Sequence, residues 1–257
     1  MAKNNNWSRE ETIVAFNVYC KVPFKNSSKT HPIITKYANI LGRSPSALNM
    51  KVGNLGRLDP ELKQQGIVGL KNGSKMDEAV WAEFNGNWEQ LAFESETLIA
   101  KFANQSIYDN AETQLDSESF PEGLERQTIV KQRVNQSFFR STILSSYYSK
   151  CCITGLPIPD LLVASHIVPW SKSKENRINP RNGLCLNSIH DKAFDRGFIT
   201  ITPDYKVKVS DSLVSFAEDK AVQNFFLKFE DQKISIPDKF LPSKEFLDIH
   251  HQEIFIK

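Results

Sequence analysis

Between Cys151 and Gly197 the chain gathers side chains of the kind that activate water. His166 follows Ser165 and precedes Ile167-Val168-Pro169-Trp170, Asn182 opens the run Asn182-Gly183-Leu184-Cys185-Leu186, and His190-Asp191 leads into Phe194-Asp195-Arg196-Gly197. An imidazole suits a general base because its ordinary pKa lies near neutrality. Asp191 and Asp195 are spaced so that a helix would set both carboxylates on one face, and hard oxygen donors suit Mg²⁺. Each residue also has a plain structural use. A histidine beside Ile and Val can be a hydrogen-bonded core residue, Asn-Gly is a turn signal, and Asp191 can be a helix N-terminal charge.

These residues need a scaffold, and the flanking pattern supplies one. Leu161–Ile167 reads as a buried strand, Ser171–Asn176 as a polar turn and Asn182–Asn187 as a returning strand, with a helix beginning near His190–Asp195. Upstream, Gln127–Tyr148 reads as a long helix with Val130, Val134, Ile143 and Leu144 facing inward. Arg133, Gln136 and Arg140 share another face of it at spacings of three and four. That stripe suits DNA phosphates, or is a solvated helix face.

The order of motifs resembles the HNH (ββα-metal) endonuclease family. The segment Arg126 to Ile201 is similar to its restriction-type branch, with a Cys-Cys-x-Thr-Gly opening (Cys151–Gly155) and a His-Asp-x-x-Phe-Asp-x-Gly close. Gln136, Phe139 and Arg140 fit that branch, and Trp7-Ser8-Arg9-Glu10-Glu11 resembles the leader domain that often precedes such nucleases. The resemblance implies that His166 is the base, Asn182 the residue whose amide orients it, and His190 a metal ligand. It implies a divalent cation, Mg²⁺ with Mn²⁺ as the alternative, acting on the phosphate and the leaving oxygen. This sequence departs from the family where Ser165, a neutral oxygen donor, replaces an Asp or His. The ligand set is therefore open among His190, Asp191 and Asp195, with Ser165 as a weaker member.

Residues 1–103 read as a helical domain. Ser8-Arg9-Glu10-Glu11 is a capping box opening a helix to about Lys21, with Ile13, Phe16, Val14 and Val18 as its apolar stripe. A helix over Pro32–Leu41 ends at Gly42, and Ser44-Pro45 caps and starts another, with Ala47, Leu48 and Val52 inside. The pair matches a helix-turn-helix, or an ordinary three-helix packing module. In the first reading Ser46, Asn49 and Lys51 face bases while Arg43 and Arg57 meet phosphates. Trp81, Phe84, Trp88, Leu91 and Phe93 close the domain core.

Residues 104–125 carry carboxylates and no Lys or Arg, which reads as an acidic linker, and 126–150 carry the reverse. After Gly197, Ile199–Ile201 and Val207–Val209 suggest a hairpin, Val214–Phe229 and Lys244–His251 suggest helices, and His250-His251 is expected on the surface. The fold expected is α+β: a helix-turn-helix-like domain, then a ββα-metal nuclease domain over 126–257 with its C-terminal extension.

Composition agrees with a globular protein, at 40% hydrophobic and 24% charged residues. No apolar run spans a bilayer, and Met1–Asn6 lacks a signal-peptide core, so a cytoplasmic protein with no membrane partner is expected. Adjacent Cys151 and Cys152 make a poor disulfide framework, there is no paired C-x-x-C for zinc, and Cys152 and Cys185 read as core. The partner expected is double-stranded DNA, with a homodimer as one route to cutting both strands. Two other readings are a DNA-binding or regulatory module with a degenerate nuclease site, and a nicking or structure-specific repair nuclease.

Overall fold

The computed structural model describes residues 6–67, 73–107, 124–170, 172–173 and 175–257. Most of the expected acidic linker, including Asp109, Glu112, Asp116, Glu118 and Glu122, lies outside the described residues, as does Ser171 of the polar turn. Helices and two small antiparallel sheets make an α+β protein. The chain forms two compact units, Met1–Thr142 and Ile143–Lys257.

The first unit is helical: α1 (Arg9–Lys21), α2 (Pro32–Leu41), α3 (Pro45–Gly56), α4 (Pro60–Gln64), α5 (Lys75–Phe84), α6 (Trp88–Phe102) and the start of α7 (Leu124–Ser146). Ser8 caps α1 in a reciprocal box with Glu11. The single apolar stripe expected of α1 is corrected, because every residue from Glu11 to Lys21 is buried. Helices α2, α3, α5 and α6 all pack against it, so its polar side chains need internal partners. Asn17 therefore donates to the Ser95 hydroxyl, Tyr19 to Asp59, and Lys21 pairs with Glu96 at 2.6 Å. Phe16 stacks on Trp81 with ring centroids 4.9 Å apart.

Between α2 and α3, Gly42 adopts φ 61°, the left-handed conformation glycine accepts most readily. Leu48, Val52 and Leu55 on α3 are buried. The expectation that Arg43, Asn49 and Lys51 face DNA is corrected by their contacts. Lys51 is 4% exposed and meets Asp77 at 2.6 Å. Arg43 holds Glu11 through two hydrogen bonds of 3.0 and 2.7 Å, and Trp7 lies 5.0 Å from both cations. Asn49 accepts from the Ser27 hydroxyl, and Arg57 pairs with Glu78 at 2.9 Å. These charges meet acids brought from other helices, which favours the packing-module reading of the pair.

The second unit continues from the end of α7 into β1 (Leu162–His166), β2 (Gly183–Asn187) and α8 (Ser188–Asp195). Strands β1 and β2 are antiparallel, with Leu162 opposite Asn187 and His166 opposite Gly183. Helix α8 packs on both strands. Cys152 donates its N–H to the Cys185 carbonyl at 2.7 Å, and both cysteines are buried. Strands β3 (Ile199–Ile201) and β4 (Val207–Val209) form the second hairpin.

The continuous helix expected over Val214–Phe229 is corrected: α9 (Asp211–Val214), α10 (Lys220–Phe225) and a 3₁₀ turn at Leu227–Phe229 replace it. Asp219 restarts the helix by accepting from the N–H groups of Ala221 and Val222. Helix α11 (Lys244–Glu253) packs on β3. His250 on α11 is 1% exposed, which corrects its expected surface position. Leu247 and His250 share the inward face of that helix. Among the described residues, no helix is long and apolar enough to cross a membrane.

Candidate active site

His166 ends β1, where the chain leaves the sheet for the long loop to β2. Its Nε2 lies 2.7 Å from the Arg177 carbonyl in that loop. A carbonyl can only accept, so Nε2 carries the proton, and Nδ1 holds the lone pair of the neutral ring. The ring sits edge-on to Trp170 at 5.6 Å. Burial pushes the His166 pKa below the ordinary histidine value, against the Arg177 carbonyl and the Asp191 carboxylate, which both raise it. A neutral imidazole is the form able to accept a proton.

The loop that presents the Arg177 carbonyl is closed by Asn182, which is 1% exposed. Its Oδ1 accepts from the Val168 N–H at 2.8 Å, and its Nδ2 donates to the carbonyls of Val168 and Asn176, each at 3.1 Å. Its backbone carbonyl accepts from Ile167. The Asn182 amide, to which the resemblance gives the role of orienting the base, is spent on the loop. Asn182 acts one step away, by holding the segment that carries Arg177.

The second group stands on α8. Asn187 caps this helix, its Oδ1 accepting from the N–H groups of Ile189 and His190. That leaves its Nδ2 to donate to His190 Nδ1 at 3.0 Å, while His190 Nε2 donates to the Phe225 carbonyl at 2.6 Å. His190 is 2% exposed and its ring meets Phe226 and Phe229 edge-on. Both ring nitrogens of His190, the residue expected among the catalytic and metal-ligating groups, are engaged, and they join α8 to the C-terminal extension.

Asp191, next on the helix, is half-buried, and Asp195 lies one turn on and is exposed. Burial raises the Asp191 pKa, while Ser165, Lys192 and His166 favour its charged form. Burial also raises Asp195, and the charge on Asp191 raises it further. The Ser165 hydroxyl is buried and closes no hydrogen bond of normal geometry, although it acts on Asp191. Two carboxylates one helical turn apart, the charge of the first raising the pKa of the second, fit a hard cation beside the Ser165 hydroxyl. Among the described residues, no three His, Cys, Asp or Glu side chains group together as a complete metal cage. Mg²⁺ needs no such cage, since it usually keeps waters and one or two carboxylates and takes substrate phosphate.

Residues 151–202 match the family model described as HNH endonuclease. The chain carries an HNH endonuclease domain. Its match spans β1, β2, α8 and β3, the elements that place His166, Asn182, Asp191 and Asp195. No curated protein matches the chain. Of the basic stripe on α7, which lies before the matched stretch, Gln136 and Arg140 are exposed and Arg133 is half-buried.

Arg177 and Trp170 were not anticipated as parts of the site. A loop carbonyl leaves no mark in side-chain chemistry, so only Arg177's guanidinium beside Pro169-Trp170 could have signalled it. Asn187 was missed too, although an Asn directly before a helix that opens Ser-Ile-His is a readable cap.

Proposed function

We propose that this HNH endonuclease cuts double-stranded DNA with the help of a divalent cation, in restriction of foreign DNA. One observation carries the chemistry: the Arg177 carbonyl fixes His166 in the tautomer whose Nδ1 can take a proton, beside the Asp191 carboxylate. In the reaction His166 Nδ1 takes a proton from water while the water oxygen attacks phosphorus and a P–O ester bond breaks. The Arg177 carbonyl and the Asp191 charge stabilise the imidazolium that forms. Asp191 and Asp195, with the Ser165 hydroxyl, would hold Mg²⁺ or Mn²⁺. When bound, that ion neutralises charge on the phosphate and the leaving oxygen. The restriction setting rests on the resemblance of the Cys151–Gly155 and His190–Gly197 motifs.

The test is His166→Ala on plasmid DNA with Mg²⁺ or Mn²⁺. Cleavage should be lost while folding is kept, and a folded variant that cuts like the parent sinks the proposal. A single site cuts one strand, so linear product formed without a nicked intermediate would support a homodimer. The small donor set favours one alternative, a DNA-binding protein with a degenerate site. It predicts salt-sensitive binding and no metal-dependent cleavage.

A further inference from the structure

We infer that Arg177 is a phosphate-binding residue of this site, gripping a phosphodiester of the substrate beside His166; the inference rests on the DNA-cleaving reading above. Its backbone and side chain are both tied to the base. The carbonyl accepts from His166 Nε2 at 2.7 Å. The side chain folds back so that Nε donates to the Trp170 carbonyl at 3.2 Å, and the guanidinium lies 5.1 Å from the Trp170 ring. That same ring abuts His166. The guanidinium is therefore set in place before any substrate arrives, which reduces the ordering needed on binding.

What Arg177 lacks is an acid. Arg43, Lys51, Arg57, Lys172 and Lys208 each meet a carboxylate. Arg177, half-buried, meets none among the described residues. Its Nε N–H is used on Trp170, and the Nη donors keep the planar fork that matches two phosphate oxygens. The ligand's charge follows from the rest of the site. Asp191 and Asp195 would repel a polyanion, and a cation fixed on the side of the base offsets that repulsion.

The experiment uses the full chain with Arg177→Gln and Arg177→Lys. The carbonyl that holds His166 is backbone, so neither substitution removes it. Cleavage of duplex DNA with Mg²⁺ or Mn²⁺ should fall in kcat/KM by roughly 10- to 100-fold in Arg177→Gln, the scale of a lost charged hydrogen bond. Arg177→Lys should recover part of it, as a point charge without the fork. Binding of a labelled DNA duplex is measured in the His166→Ala background across a salt series. There Arg177→Gln should reduce the slope of log Kobs against log salt by about 1, one phosphate contact. Parent-like cleavage with a parent-like slope overturns the inference. So does a loss of cleavage with an unchanged slope, which assigns the side chain to holding Trp170 and the loop. If the parent binds DNA without cutting it, the nuclease reading fails while the slope still decides on Arg177. If the parent binds no DNA, both fail.

Discussion

Lys51 in the N-terminal unit is buried and meets Asp77 at 2.6 Å, whereas Arg177 in the C-terminal unit is half-buried and meets no acid among the described residues. The acids differ in the same sense. Glu11 is clasped by Arg43 through two hydrogen bonds. Asp191 and Asp195 stand one helical turn apart, and the charge of the first raises the pKa of the second. In the first unit each of these charges is answered within the fold, so it contributes to holding helices together. In the second, Lys172 and Lys208 are answered in the same way, whereas Arg177 bonds the Trp170 carbonyl and Asp191 and Asp195 stand together near His166. Ionisable groups left without partners in a folded protein reduce stability, and they persist where a ligand completes them.

Separate variants can break this contrast. His166→Ala should lower cleavage by about 10²- to 10⁴-fold, the usual worth of a general base, with little change in thermal melting. Lys51→Met should do the reverse. It leaves Asp77 buried without its partner, so we expect a loss of about 3–5 kcal/mol, read by denaturant unfolding. If Lys51→Met melted like the parent, the first unit would not depend on its internal ion pairs.

A third outcome concerns pH. His250 Nε2 donates to the Phe194 carbonyl at 3.1 Å and its Nδ1 faces the Thr200 hydroxyl at 2.8 Å, so the fold holds the neutral ring. Burial pushes its pKa down to about 4, with the charges of His251 and Lys172 acting in the same direction and the Phe194 carbonyl against them. Between about pH 4 and the ordinary value near 6.5, the unfolded chain binds the proton and the folded one does not. Stability from this residue is therefore complete above about pH 6.5 and is lost as pH falls through about 4, by about 3 kcal/mol in all. Thermal melts from pH 7 to pH 4 should show that decline in the parent. A shallower one is expected in His250→Gln, which cannot titrate.

Asn182→Ala should cost less stability than Lys51→Met, about 1–3 kcal/mol for backbone groups left unmet. Because the loop then holds Arg177 less firmly, cleavage should fall by more than the melting shift alone implies. A variant with normal activity would show that Asn182 matters only to the fold.

Much of the framework could be read from the chain alone. The capping box at Ser8, the Gly42 stop, the Ser44-Pro45 start and the β1–β2–α8 order follow from interactions between residues close in sequence. Caps and strand alternation act over one turn or one pleat, so a linear reading can find them. His166 and Asp191 stand in the sequence as chemical types in a recognisable order. What the sequence could not decide was the use of each polar group. Asp77 reaches Lys51 across 26 residues, Glu11 reaches Arg43 across 32, and the Phe225 carbonyl takes His190 across 35. Those pairings give Lys51, Arg43 and His190 internal partners that their types do not announce. The tautomer of His166 likewise depends on a backbone carbonyl whose direction exists only once Asn182 has closed the loop. Residue type sets what a side chain can do, and the partners that folding brings to it decide what it does.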